Sequence, residues 1–367
     1  MSRNGSIKEA ILGLYLKERP QIISEVLGFE VHHIALEQKH GAYHVDLKAV
    51  DKKRRIPVMF EFQLGKANKS YLNRIKSMLN KTPEGVIVWV AGSFGEEMII
   101  ELRKWLPLKQ PSYVDFYAIS LNSEVIPILE QLNELYKLEI YDNLHLLDDI
   151  EPMLSIELQS ERIPMSHCGH LNIEPAPLDY KVDQDLKRGL LLHLRKAIPQ
   201  FLNFHYDKKA NQYDKILSIG AGKYGVVYRC SAMDRRGKAF IELYFDRCME
   251  NEYEAFKLQK SWLQEVIHPE ITVNNRRIGV YFAPANNHEK TFEIIGEVFK
   301  KMIDTFSPCF YGGKGIEKLG ESACTTVNPN ATTLFVSMPM ELPELEYGTE
   351  DSYRIWLEEM GERFIYR

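Results

Sequence analysis

The chain has 367 residues, of which 45% are hydrophobic and 26% charged, and its formal net charge is -5. This balance is that of a folded globular protein and excludes a mainly disordered, collagen-like or membrane-embedded chain. Mild acidity excludes a protein that coats a polyanion with its whole surface. A local basic patch remains compatible with nucleic acid, because binding depends on where charge sits.

The length favours two hydrophobic cores over one. The cysteines Cys168, Cys230, Cys248, Cys309 and Cys324 are widely spaced, with no C-x-x-C pair. Neither a zinc ribbon nor a disulfide scaffold is expected. Met1 to Arg19 lacks the apolar core and cleavage site of a signal peptide. No apolar run reaches the length of about 18 residues that spans a bilayer. The expectation is a cytoplasmic protein with reduced thiols.

In chain order, Ile7, Ile11, Leu14 and Tyr15 form one face of a helix. A second short helix, Gln21 to Leu27, stops at Gly28. Phe29 to Gln38 reads as a strand. Ala42 to Val50 alternates, with Tyr43, Val45, Leu47 and Ala49 on one side and His44, Asp46 and Lys48 on the other. Ile56 to Leu64 is apolar almost throughout, as in a central strand buried on both faces. Asn68 to Leu79 is helical, Gly85 to Ala91 a buried strand, Glu96 to Leu106 a helix, Val114 to Leu121 a strand and Val125 to Leu138 a helix. Together they predict an α/β layer, a mixed sheet flanked by helices.

Prolines 152, 164, 175 and 177 break the patterning between about residues 142 and 183, which reads as an interdomain connection. A second α/β (or α+β) domain follows over 184–310. It has helices at Asp185–Phe204, Met249–Val266 and His288–Phe306, strands within Lys215–Phe245, and one at Arg276–Ala283. A looser tail over 311–367 ends in a helix, Glu350–Phe364.

The informative residues are Asp46, Glu61 and Gln63. Glu61 and Gln63 are two apart on one strand and so share a face. Asp46 lies on the preceding strand. Converging carboxylates are costly to bury unless they are hydrogen-bonded or bind a cation. A hard cation such as Mg²⁺ or Mn²⁺ takes oxygen ligands and can polarise a phosphoryl group and activate water. The helix that follows carries Lys66, Lys69, Arg74, Lys76 and Lys81 without an acid. Its apolar stripe would turn the basic residues to solvent, where they could meet phosphates. The turn Lys52 to Arg55 adds four more basic residues.

HVDLKAVDKKRRIPVMFEFQLG, with EFQLGKANKSYLNRI and VIVWVAGSFGEEMIIELRKWL, resembles the PD-(D/E)xK nuclease superfamily of restriction-endonuclease-like folds. Within it, the chain is similar to a bacterial family with an E-x-Q variant of the site, and AFIELYFD resembles that family's C-terminal domain. The resemblance covers residues 1–141. It implies metal ligation by Asp46 and Glu61, and a water-orienting role for Gln63, which stands where the superfamily usually has lysine. Lys48 or Lys66 would supply the missing charge. An acid on an N-terminal helix often completes such sites: Glu25 is the first choice, with Glu18 and Glu30 as alternatives. Phosphate contacts are expected from Lys66, Lys69, Arg74 and Lys76. The implied function is a Mg-dependent endodeoxyribonuclease acting in defence against foreign DNA or in DNA processing. The C-terminal domain would serve target recognition, dimerisation or contact with a partner protein. The rival is an inactive nuclease fold that binds DNA or regulates.

One motif competes. Gly220 to Val227 fits the glycine-rich pattern G-x-G-x-x-G-x-V, but no H-R-D or D-F-G triplet follows and Glu242 stands where a lysine would be sought. A glycine-rich hairpin is the better reading. His167, Cys168 and His170 lack a visible fourth zinc ligand and read as a loop.

Overall fold

The computed structural model describes residues 3–40, 43–164, 166–171, 177–203 and 215–310; the expected C-terminal helix lies outside them. The chain divides into two compact units, Met1–Ala176 with Asn203–Lys208, and Pro177–Leu202 with Lys209–Arg367.

In the first unit, α1 (Arg3–Glu18) and α2 (Pro20–Leu27) come first. Gly28 ends α2 in the left-handed region at φ 74°, its N–H donating to the Ser24 carbonyl, a conformation that favours glycine. Then follow β1 (Val31–His40), β2 (Tyr43–Asp51), β3 (Pro57–Lys66), α3 (Lys69–Lys81), β4 (Gly85–Ser93), α4 (Glu96–Lys109), β5 (Val114–Leu121), α5 (Val125–Glu134), α6 (Lys137–Asp142) and β6 (Leu154–Ser160). The six strands lie in sequential order. β1, β2 and β3 pair antiparallel, β3, β4 and β5 parallel, and β6 closes the edge antiparallel to β5. Parallel neighbours need crossovers, which α3 and α4 supply.

The sheet has a core on each face. Leu47, Phe60, Phe62, Val88 and Ile119 pack with Ile11, Leu14 and Tyr15 of α1 and with α5. Met59, Ile87, Trp89 and Phe116 pack with Leu72, Ile75 and Leu79 of α3 and with α4. β3 is buried without interruption from Pro57 to Gln63, as its unbroken apolar run predicts. β6 falls in the stretch whose prolines read as a connection. Leu154, Ile156 and Leu158 alternate with polar residues as in a strand, but Leu154 is its one buried residue, and in the sequence the neighbouring prolines outweigh that short alternation.

The second unit contains α7 (Asp183–Ala197), α8 (Pro199–Leu202), β7 (Leu217–Gly220), β8 (Val226–Ser231), β9 (Ala239–Phe245), α9 (Glu250–Lys257), α10 (Lys260–Val266), β10 (Thr272–Asn274), β11 (Arg277–Phe282) and α11 (His288–Phe310). Its strands form an antiparallel sheet in the order β10-β11-β9-β8-β7. The glycine-rich segment is the turn of the β7–β8 hairpin, with Gly222 and Gly225 at φ 90° and 77°. Among the described residues, no helix is long and apolar enough to cross a membrane.

Candidate active site

β2 and β3 part company at the site. Their ladder runs from Val50↔Pro57 to Leu47↔Phe60 and stops. Beyond it the Phe62 N–H donates to Asp46 Oδ2 at 2.7 Å, so a carboxylate takes the place of a strand carbonyl. The alternation of β2 breaks there as well: Val45 joins the α3 side of the sheet, while Leu47 and Ala49 join the α1 side.

Glu61 and Gln63 project with Met59 toward α3. Glu61 is 1% exposed and Gln63 7%. Gln63 Nε2 donates to the Lys66 carbonyl at 2.8 Å. That bond fixes the amide and leaves Oε1 buried with no hydrogen-bond partner. An orphaned buried acceptor costs about 1–3 kcal/mol, a cost that native structures rarely carry without reason.

Positive charge arrives from α3. Asn68 caps this helix by accepting from the Tyr71 N–H, and Leu72, Ile75, Met78 and Leu79 bury one face. Arg74 lies beside that face and turns inward. Its Nη2 donates to Glu61 Oε1 at 2.8 Å and to the His44 carbonyl at 2.6 Å. Burial pushes the Asp46 carboxyl above its ordinary range, opposed by the Phe62 N–H and the charge of Arg74. The Tyr71 hydroxyl is pushed up to about 12 by burial and then by the charges of Glu9, Asp46 and Glu61. Tyr71 therefore stands among three carboxylates and remains a neutral O–H donor at physiological pH.

Glu9 is the acid on the N-terminal helix that couples to this cluster, and sequence reasoning missed it. A signal existed. Leu12 and Leu16, three and seven residues on, are both fully buried, so Glu9 shares their helical face. Glu25 lies exposed on α2, a helix that packs beside β1 and β6. Glu18 accepts from the Tyr141 hydroxyl at 2.9 Å, and Glu30 from Lys52 Nζ at 2.8 Å.

The basic residues divide. Lys66 and Lys69 are exposed. Arg74, expected to face solvent, is exposed and yet pairs with Glu61, while Lys76 is half-buried and pairs with Glu101 at 2.6 Å. In the basic turn, Arg54 is not a surface charge. It pairs with Asp51 and Asp115, both at 2.6 Å, and lies 4.8 Å from the Phe29 ring centroid. In the H-C-x-H segment the His167 ring hydrogen-bonds with Glu84, which fits a loop docked on the first unit.

Two carboxylates and an amide oxygen are the hard donors that magnesium takes together with water. Among the described residues no group of three or more His, Cys, Asp or Glu could hold an ion. A bound ion would therefore take Asp46, Glu61 and water, and the orphaned Gln63 Oε1 fits an acceptor for one of those waters.

No protein-family model matches the chain, and no curated protein matches it either. Among solved structures, the chain is similar to the crystal structure of a repair endonuclease from Pyrococcus abyssi. The match is 24% identical, covers 24% of this chain and 39% of that one, and has a TM-score of 0.21.

Proposed function

We propose that the first unit is a metal-dependent nuclease of the PD-(D/E)xK kind that hydrolyses phosphodiester bonds of DNA. One observation carries the reading. Where β2 and β3 diverge, a carboxylate replaces a ladder carbonyl beside a buried Glu61 and an orphaned Gln63 oxygen. Apolar side chains of similar volume at such a fork are often as stable or more stable.

Asp46 and Glu61 would hold Mg²⁺ or Mn²⁺, which when bound neutralises phosphate charge and lowers the pKa of a water. The Gln63 nitrogen is committed to Lys66, so its oxygen is the atom that can accept a hydrogen from water and aim it. Arg74 neutralises and fixes Glu61, Glu9 adds negative charge beside Tyr71, and Tyr71 offers a neutral donor. Lys66 and Lys69, exposed at the entrance to α3, would contact phosphates without reading sequence. Roles in defence against foreign DNA or in DNA processing follow by analogy with the superfamily.

The Arg74–Glu61 ion pair favours a second reading. A guanidinium already neutralises the carboxylate that a metal would use, as in a fold that retains DNA without cutting it. The test is incubation with plasmid and with single-stranded DNA in Mg²⁺ or Mn²⁺, beside Asp46→Ala and Glu61→Ala. The nuclease reading expects cleavage that falls by at least about 100-fold in both variants. Cleavage equal to wild type in both variants overturns it, and retention without cleavage supports the second reading.

A further inference from the structure

The second unit holds a charged cluster that this chemistry does not use. One face of its sheet packs Tyr228 and Phe245 against Phe201, Phe299 and Phe310 of α8 and α11. Alternation puts Arg229, Glu242, Tyr244, Arg277 and Tyr281 on the opposite face. Glu242 lies across from Arg229 on one side and Gly279 on the other. A Cβ at Gly279 would sit 2.6 Å from that of Glu242, so the glycine leaves the carboxylate its room.

Glu242 is 1% exposed. Its Oε2 accepts from the Tyr281 hydroxyl and lies 3.8 Å from Arg277 Nη1. Its Oε1 lies 3.1 Å from Arg229 Nη1 but lacks a partner in hydrogen-bond geometry. Both guanidiniums sit over the Tyr244 ring, 5.4 and 5.9 Å from its centroid. One buried carboxylate thus faces two arginines, and the Arg277 side chain is 45% exposed. At the other end of β9, the β8–β9 turn exposes Arg235, Arg236 and Lys238. The acid of that turn, Asp234, is occupied by the backbone N–H groups of Arg236 and Lys238. The two basic ends are separated by the length of β9, about 20 Å.

We propose that this sheet face binds a single-stranded stretch of nucleic acid, running from the Arg235–Lys238 turn past Tyr281 to Arg229 and Arg277. Guanidiniums held over an aromatic ring present N–H groups to phosphates and planar surfaces to unstacked bases. A strip of rings and arginines with basic ends suits a flexible strand, whose bases can turn toward the sheet. Duplex bases are stacked inward and cannot. Glu242 acts as a positioning residue that holds both arginines. The inference deepens the nuclease reading by naming the strand form the second unit would present; it rests on that reading only for the link to cleavage.

The test is fluorescence anisotropy of labelled oligo-dT and of a duplex of matched length, with the full chain in EDTA. Wild type is expected to prefer the single strand. Arg277→Glu should weaken it at least about tenfold. Tyr244→Leu should weaken it several-fold, because it removes the ring over which both guanidiniums are held. Arg235→Glu with Arg236→Glu should flatten the salt dependence, and circular dichroism melts verify that each variant folds. Unchanged affinity in Arg277→Glu and Tyr244→Leu, or a preference for duplex, overturns the inference. A wild type that binds the strand in this way but does not cut it with metal present sinks the nuclease reading and leaves this one standing.

Discussion

Asp46 is held where its charge is expensive. Its pKa is raised in the folded protein by burial, so the sign of its effect on stability is determined. A carboxyl with a raised folded pKa stabilises fully below its unfolded value, near 4. That contribution is lost as pH climbs through the folded value. Asp46→Asn removes the charge and keeps an acceptor for the Phe62 N–H. It should raise the melting temperature at neutral pH, and the difference from wild type should vanish below about pH 4. A neutral-pH melting temperature no higher than wild type would contradict this. Arg74→Met acts in the opposite direction, because it strips the partner from a Glu61 that is 1% exposed. The expected loss is about 1–3 kcal/mol, scaled down because the Arg74 side chain is 42% exposed. Adding Glu61→Gln should recover part of the loss, and a double-mutant cycle in chemical denaturation measures the coupling.

At the scale of elements, β4 approaches β3 just past Gln63. A Cβ at Gly92 would lie 2.3 Å from the Leu64 carbonyl oxygen, and the β3–β4 register slips between Gln63 and Lys66. Gly92→Ala must push the strands apart beside the site, at a cost of about 1–3 kcal/mol, readable as a lower denaturation midpoint. Elements with a strong period were legible in the sequence. β3 and β4 announced themselves as unbroken apolar runs, and α3 by Leu72, Ile75 and Leu79. Asp46, Glu61 and Gln63 were legible as a group because the strand period alone puts Glu61 and Gln63 on one face. The partner of Arg74 was not, since solvent and a buried carboxylate lie within reach of the same long side chain and only the crossover decides between them. The helix expected over Met249–Val266 is two, α9 and α10, separated at Leu258 and Gln259. Neither residue is a glycine or proline, so the break had no local signal.

For the whole molecule, the formal charge of -5 does not say which basic residues are free to meet a polyanion. Lys52, Arg54, Arg74 and Lys76 look like a phosphate-binding surface in the sequence, yet each is paired with an acid. Arg54 is the most structural of them. It joins the end of β2 to Asp115 on β5, and Asp115 also accepts the backbone N–H groups of Arg162 and Ile163. Arg54→Met would leave two buried carboxylates without a cation and should cost the first unit about 3–5 kcal/mol, seen in a denaturant titration. Of the four residues expected to contact phosphates, Lys66 and Lys69 are exposed and have no acid partner among the ion pairs described, and on the proposed reading they carry the contacts. Nucleic-acid affinity should accordingly fall with salt at a slope that Lys69→Ala lowers by about 0.7–0.9 for one lost phosphate contact.

The central claim is that the costly cluster at the β2–β3 fork exists for chemistry. Single-turnover cleavage of DNA in Mn²⁺ by wild type and Asp46→Asn, with the melting temperature of both recorded at the same neutral pH, tests it most directly. The predicted result is a variant that is more stable yet slower by about 100-fold or more. A variant that cuts as fast as wild type would contradict it.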